Sequence, residues 1–349
     1  MVDTTAMSAF AGFGSDNHAG VHPAVLKALE HVNSGYAVAY GDDETTAQAV
    51  ALFKNIFGSA SDPYFLYNGT GANILGLRTV MESFNSVICT DVAHLTVHEC
   101  CGPESFIGCK LVPVPTPDGK LTVDAVDSCL IGVGDPHMAQ PRVVSLTEAT
   151  ERGTVYRPAE IKALSKYAHE HGLLVHMDGA RLCNAAASLQ VGLNELVGEV
   201  GVDVLSFGGT KNGMMFGEAV VFFDKEASSC FPFFRKQGMQ LTSKMRYISA
   251  QFIAMLEGDL WLQNARHANV TAQVLAEGLR KISGVKITQP VEANMVFAVL
   301  PERSIGKLQK DFFFHRFNER KREVRFVCSF QTQSLEIEVF LAAVRKAVR

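Results

Sequence analysis

A single lysine, Lys211, stands in the stretch SFGGTKNG between two apolar runs, VDVLSF and EAVVFF. A primary amine in a glycine-freed connection between two buried strands can condense with an aldehyde once its surroundings favour the neutral form. Upstream, GLLVHMDGARLCNAA ends another apolar run at Asp178, and Gly179, Ala180 and Arg181 turn the chain away. In open α/β sheets, ligands sit outside the carboxyl ends of the strands, so Asp178 and Lys211 are expected at one crevice. Read alone, Lys211 is more readily a solvated turn residue, and Asp178 serves equally as the N-cap of the helix that follows.

Together they suit pyridoxal phosphate: the lysine forms the Schiff base, and the carboxylate keeps the pyridine nitrogen protonated. Such a cofactor needs a phosphate cradle. YFLYNGTGANILGLRTV offers a strand, the turn NGTGAN, and a helix expected to start at Ala72 or Asn73. Free N–H groups at a helix start, with the Thr70 hydroxyl, can hold a dianion. In TDVAHLTVHECC, His94 follows a strand end, where a flat ring could stack on a pyridine; an isolated histidine there is more often a hydrogen-bonded structural residue.

The elements that must position these residues are legible as period and punctuation. PYFLYN, SVICTD, CKLVPVP, PRVVSLT, GLLVHMD, VDVLSF and EAVVFF read as seven short strands. Helical patterns lie between or before several of them: HPAVLKALEHVN, ETTAQAVALFKNIFG, RPAEIKALSKYAHEHG and GARLCNAAASLQ. That alternation predicts a mainly parallel sheet covered on both faces. From about residue 240 the pattern becomes one long helical stretch, LTSKMRYIS through RKISG. After it come strands VKITQP and ANMVFAVLP, a helix IGKLQKDFFFHRFNE, the strand EVRFVCSF and a closing helix. Residues 1–255 are therefore expected to form a large α/β domain that includes the N-terminal segment, and 256–349 a small α+β domain.

Bulk properties narrow the class. With 349 residues and 47% hydrophobic content the chain can bury a large core, and a net charge of −4 gives no reason to invoke nucleic acid or an anionic membrane. The eight cysteines make no C-x-x-C pair and no zinc-like spacing, so no metal site is expected and the thiols read as reduced; adjacent Cys100 and Cys101 stand out without an assigned role. The opening MVDTTAMSAFAGFGSD lacks a basic region followed by an apolar core, and no run is long enough to span a bilayer. A cytoplasmic protein is the expectation.

Seven segments carry a family resemblance: GSDNHAGVHP, YGDDETT, NGTGAN, AHLTVHE, HMDGAR, SFGGTKNG and VRFVCSF. In this order, from residue 14 to residue 330, the chain resembles the low-specificity L-threonine aldolases, of the beta-eliminating lyase and threonine aldolase family. HMDGAR followed by GGTKNG is the specific part. The resemblance implies the aspartate aminotransferase-like architecture of fold-type I pyridoxal phosphate enzymes. It also implies retro-aldol cleavage of L-threonine, L-allo-threonine or related 3-hydroxy-L-amino acids such as phenylserine to glycine and an aldehyde, reversibly. Other chemistries on the same fold are a β-eliminating lyase, a racemase or an aminotransferase.

Residue by residue, the resemblance makes Lys211 the Schiff-base lysine, Asp178 the partner of the pyridine nitrogen, and His94 the stacking ring. Gly69, Thr70 and Gly71 match the phosphate loop. Ser15, Arg181 and Arg325 match groups that hold the substrate carboxylate, Arg181 lying also against the cofactor. His137, in DPHMAQPRVVSL, matches a histidine near the substrate hydroxyl, so His94 and His137 are the candidate bases. His98 falls where relatives often carry an aromatic residue at the side-chain pocket. Arg246, in SKMRYISAQ, is expected to reach a cofactor phosphate, across a subunit interface. A homodimer or homotetramer with shared active sites is implied in the same way.

Overall fold

A computed structural model describes residues 11–349; of the opening stretch read above for a signal, residues 1–10 lie outside that range. After a short strand β1 (Ala11–Gly12), the seven expected strands appear as β2 (Asp62–Leu66), β3 (Asn85–Thr90), β4 (Lys110–Val114), β5 (Gln140–Thr147), β6 (Leu174–Gly179), β7 (Val204–Gly208) and β8 (Glu218–Phe222). They form one sheet in the order β2-β8-β7-β6-β5-β3-β4, parallel except for β8, which runs against both neighbours. Apolar residues follow one another without alternation because both faces are covered. Val87, for example, packs with Ile74 and Leu77 on one side while Ile88 joins the core on the other. Each such side chain contributes about 1.5–3 kcal/mol relative to exposure, so a two-faced strand is anchored twice over.

This topology delivers polar residues to one edge. Thr147 lies beside Asp178 in register, and Asp178 beside Ser206. Antiparallel β8 begins at that same edge, with Glu218 opposite Gly208 on one side and Leu66 on the other.

A second, four-stranded antiparallel sheet has the order β12-β13-β10-β9, from β9 (Lys286–Ile287), β10 (Met295–Val299), β12 (His315–Asn318) and β13 (Glu323–Val327). Its own core contains Val296, Val324, Phe326 and Phe340. Phe13 belongs to this core too, and β1 pairs in parallel with β11 (Phe312–Phe313). The start of the described chain thus packs on the C-terminal unit, although the sequence pattern groups it with the large one.

Two further elements differ from expectation. The stretch Ile305–Glu319, read as a helix, is helical only over Glu302–Leu308 and then becomes β11 and β12. The reason is visible in burial: Phe312 and Phe314 are inside while Phe313 is 43% exposed, a period of two. The long C-terminal helical stretch is broken into Arg246–Leu256 and Leu260–Arg280, because Gly258 and Asp259 take left-handed conformations at φ 68° and 61°. The second helix joins both cores, placing Trp261 and Ala265 in the large one and Leu275 and Leu279 in the small one.

Candidate active site

Lys211 sits in a single 3₁₀ turn, Thr210–Asn212, that follows β7. Gly208 lets this turn come close to the end of β6, since a Cβ there would lie 2.7 Å from the Ala180 backbone. Gly213 closes it at φ 109°. Three hydrogen bonds pin the turn from outside: Asn212 Nδ2 to the Trp261 carbonyl at 3.0 Å, Asn264 Nδ2 to the Asn212 carbonyl at 2.9 Å, and His22 N–H to the Gly213 carbonyl at 2.9 Å.

The lysine faces a cavity of about 400 Å³ whose walls include Asn68, Gly69, Thr70, His94, Asp178 and Glu218. Lys211, Asp178 and the glycine turn, expected from the sequence at one crevice, all lie on its wall. The helix at the anion end begins at Gly69, three residues ahead of expectation, because Asn68 caps it by accepting from the Gly71 N–H at 2.8 Å. That leaves the N–H groups of Gly69 and Thr70 at the cavity wall without an acceptor among the described residues. Nothing lies within 4 Å of where a Cβ on Gly69 would stand, so the cradle is open there. Gly71 is different: its N–H is used by the cap, and a Cβ would meet Gln240 at 2.6 Å.

Charge is arranged along the opposite wall. Burial acts against the ionised form of Asp178, but His94, Lys211, Asn73 Nδ2 at 2.9 Å and the Ala180 N–H at 3.0 Å outweigh it and lower its pKa. Asn73 also donates to Glu99 at 2.9 Å, and Glu99 lies 2.9 Å from His94 Nδ1. That hydrogen bond, reinforced by Asp178, raises the His94 pKa against the effect of burial. His94, Glu99 and Asp178 each bring an N or O atom within 4.8 Å of the others, and these hydrogen bonds link them into one chain. Burial and Arg181 lower the Lys211 pKa, opposed by Asp16, Asp178 and Glu218.

Such a cavity meets the demands of pyridoxal phosphate on its own evidence. It has an amine shifted toward its neutral form, a buried carboxylate held ionised at a strand end, and unpartnered N–H groups at a helix start.

The expected carboxylate clamp is divided. Arg181 is already engaged, its Nε and Nη2 bound to Asp16 at 2.7 and 2.9 Å. Asp16 also accepts from Asn294 at 3.0 Å and is held at a pKa of about 2, burial being overcome by Arg181 and Lys211. Ser15 caps the short turn Asp16–His18. Arg325 has no carboxylate within salt-bridge distance among the described residues; it reaches only the Gly14 carbonyl, at 3.5 Å, and its buried Nε has no partner. Burial and Arg181 push its pKa down to about 10. His98 caps the turn that starts at His94, their rings 5.5 Å apart, and its pKa is lowered by burial and by the nearby His94, Arg325 and His315.

Two expected residues are not brought to this cavity. His137 precedes β5 and is exposed at the edge opposite to Thr147, roughly 25 Å away along a strand of this length. Arg246 lines a separate, larger groove of about 960 Å³ with Tyr36, Val38 and Asp42, and bonds to the Gly35 carbonyl. Neither can act on the Lys211 cavity of its own chain in this arrangement. Conversely, Asp16, Asn73, Glu99 and Glu218 were not singled out by sequence. Glu218 left a trace there, as the one charge at the head of the apolar run EAVVFF.

A profile of the beta-eliminating lyase family matches residues 12–302. The chain is 42% identical over 335 residues to a low specificity L-threonine aldolase of Pseudomonas sp. (strain NCIMB 10558), covering 95% of this chain and 96% of that one. It is 44% identical over 322 residues to a low specificity L-threonine aldolase of Pseudomonas aeruginosa, covering 92% and 93%. Its fold matches a solved threonine aldolase of Leishmania major with a TM-score of 0.91 at 28% identity, over 97% of this chain and 99% of that one. The chain belongs to the beta-eliminating lyase and threonine aldolase family, on the fold of the fold-type I pyridoxal phosphate enzymes.

Proposed function

We propose that the protein is a pyridoxal phosphate-dependent carbon–carbon lyase that cleaves L-threonine, L-allo-threonine or related 3-hydroxy-L-amino acids, phenylserine among them, to glycine and an aldehyde, reversibly. The observation that carries this reading is the convergence of Lys211, Asp178 and the open helix start at Gly69 on one cavity, in a chain of this family. Pyridoxal phosphate, when bound, supplies the electron sink that accepts the pair left on Cα as the Cα–Cβ bond breaks.

The chain's own residues do the rest. Lys211 holds the cofactor covalently through Nζ. Gly69 and Thr70 give the phosphate their N–H groups and a hydroxyl, and Gly71 keeps the cap in place. Asp178 keeps a negative charge where the ring nitrogen needs its proton, and Asn73 fixes that carboxylate's direction. His94 presents its ring to the cavity with Nδ1 tied to Glu99, so its proton exchange with a substrate hydroxyl runs through Nε2. Arg325, which has no carboxylate within salt-bridge distance among the described residues, takes the substrate carboxylate. Arg181, clamped by Asp16, sets the cavity's field, and Ser15 orders the turn that brings Asp16 in. His98 borders the substrate side chain.

For His137 and Arg246 to enter this scheme another copy of the chain must bring them, in keeping with the homodimer or homotetramer with shared sites that the family resemblance implies. The two-unit division at 255/256 and a cytoplasmic location complete the proposal. No helix of the described residues is long and apolar enough to cross a membrane. The test is to supply purified protein with cofactor and 3-hydroxy amino acids and follow glycine and aldehyde together. Equimolar glycine and aldehyde are expected; pyruvate with ammonia, or inversion at Cα without cleavage, overturns the reading.

A further inference from the structure

Glu218 is the first residue of a strand that is otherwise wholly apolar, and it is only 8% exposed. A carboxyl at that depth costs several kcal/mol unless something uses its charge. Register places it between the ends of β7 and β2, the two strands that lead into the Lys211 turn and the helix start at Gly69. Its Oε2 accepts from the Gly209 N–H at 3.0 Å, and Gly209 leads directly into the turn Thr210–Asn212. The side chain also lines the cavity that Lys211 faces.

We propose that Glu218 is a positioning residue for Lys211: its carboxyl braces the Gly209–Thr210–Lys211 turn and sets, through its own charge, how firmly the amine holds a proton. This inference rests on the reading of Lys211 given above and adds a residue to it. Burial raises Glu218 to a pKa of about 7, opposed by Thr210, Lys211 and the Gly209 N–H, while Asp178 raises it further. Its neighbour Cys183 is held as a neutral thiol by burial. On the lysine, Arg181 works in the opposite direction to Asp16, Asp178 and Glu218. Below pH 7 Glu218 is neutral and its hold on the ammonium is weak; above pH 7 it is charged and favours the ammonium. Of the three carboxyls, Asp16 and Asp178 have lowered pKa values and stay ionised, so Glu218 is the one among them whose charge changes near neutrality; His94, on the same cavity, has a raised pKa and when protonated acts on the lysine in the opposite sense.

The test compares wild type with Glu218→Gln, which keeps shape and removes the charge. In the full chain freed of cofactor, acetylation at position 211 by acetic anhydride, followed by peptide mapping, reports the neutral amine. At pH 8 the variant should be labelled at least threefold faster, and at pH 6 the two rates should converge. A ratio that is constant from pH 6 to pH 8 overturns the proposal. Should that variant not fold, wild type is compared with His94→Asn: the ionisation near pH 7 in the labelling profile should persist in both, and its loss along with the imidazole overturns the proposal. In the cofactor-loaded protein, the visible absorbance of the variant should titrate at lower pH than that of wild type, and coincident titrations count against Glu218. Wild type that forms no visible adduct defeats the Lys211 reading instead, and the labelling result stands separately.

Discussion

Arg181 and Arg325 face the same region with the same guanidinium, yet they are in opposite situations. Arg181 is locked in a two-point bond with Asp16, whose second partner is Asn294. Arg325 has one long bond to a carbonyl and a buried Nε without any. A paired buried ion stabilises the fold only through its partner, and removing one member leaves an uncompensated charge. An unpaired buried cation costs stability until an anion arrives. The first arginine is therefore part of the frame, and the second is where a carboxylate ligand lowers the free energy most.

Separating the two begins with the largest effect. Asp16→Ala strands Arg181 and should destabilise the fold by about 3–5 kcal/mol, read as a lowered urea midpoint. Arg325→Met should leave that midpoint unchanged or raise it while lowering kcat/KM about 100-fold, roughly 2–3 kcal/mol of lost transition-state binding. Equal stability losses in both variants would erase the distinction.

A smaller effect is expected from acid. Asp16 titrates at about 2 in the folded chain, below its unfolded value. A depressed carboxyl pKa stabilises above the unfolded pKa, and that contribution is lost as pH falls through the folded one. Wild type should thus lose about 2 kcal/mol from this pair between roughly pH 5 and pH 2. In Asp16→Ala that part of the slope should vanish. The smallest effect concerns the ring beside the cavity. Glu99→Gln should move the His94 titration to lower pH, because a hydrogen bond to a charged acceptor is what raises it. An NMR titration of His94 that stays at its wild-type midpoint would detach Glu99 from that role.

Much of this was readable from the chain. Seven apolar runs became the seven strands of the main sheet, because burial on both faces leaves an unmistakable composition. Lys211 and Asp178 were legible because each ends or follows such a run beside glycine. Asp16 lies next to Ser15 in GSDNHAG, but its partner is 165 positions away and no local pattern announces the pair. His137 shows the opposite limit: the resemblance gives it a role, yet a resemblance does not say on which edge of the sheet a residue emerges. The Phe312–Phe314 run misled because three consecutive aromatics carry no period by themselves. Only the neighbouring strands decide which of them turn inward.

The stretch from Phe13 to His22 is fastened at three points. Phe13 is sunk in the C-terminal core, Asp16 is bonded to Arg181, and the His22 amide is bonded to the Gly213 carbonyl just past the lysine. A cord tied at both ends and in the middle leaves little slack. Any swing of the smaller unit pulls on the lysine's own hinge, so the mouth and the floor of the cavity shift together.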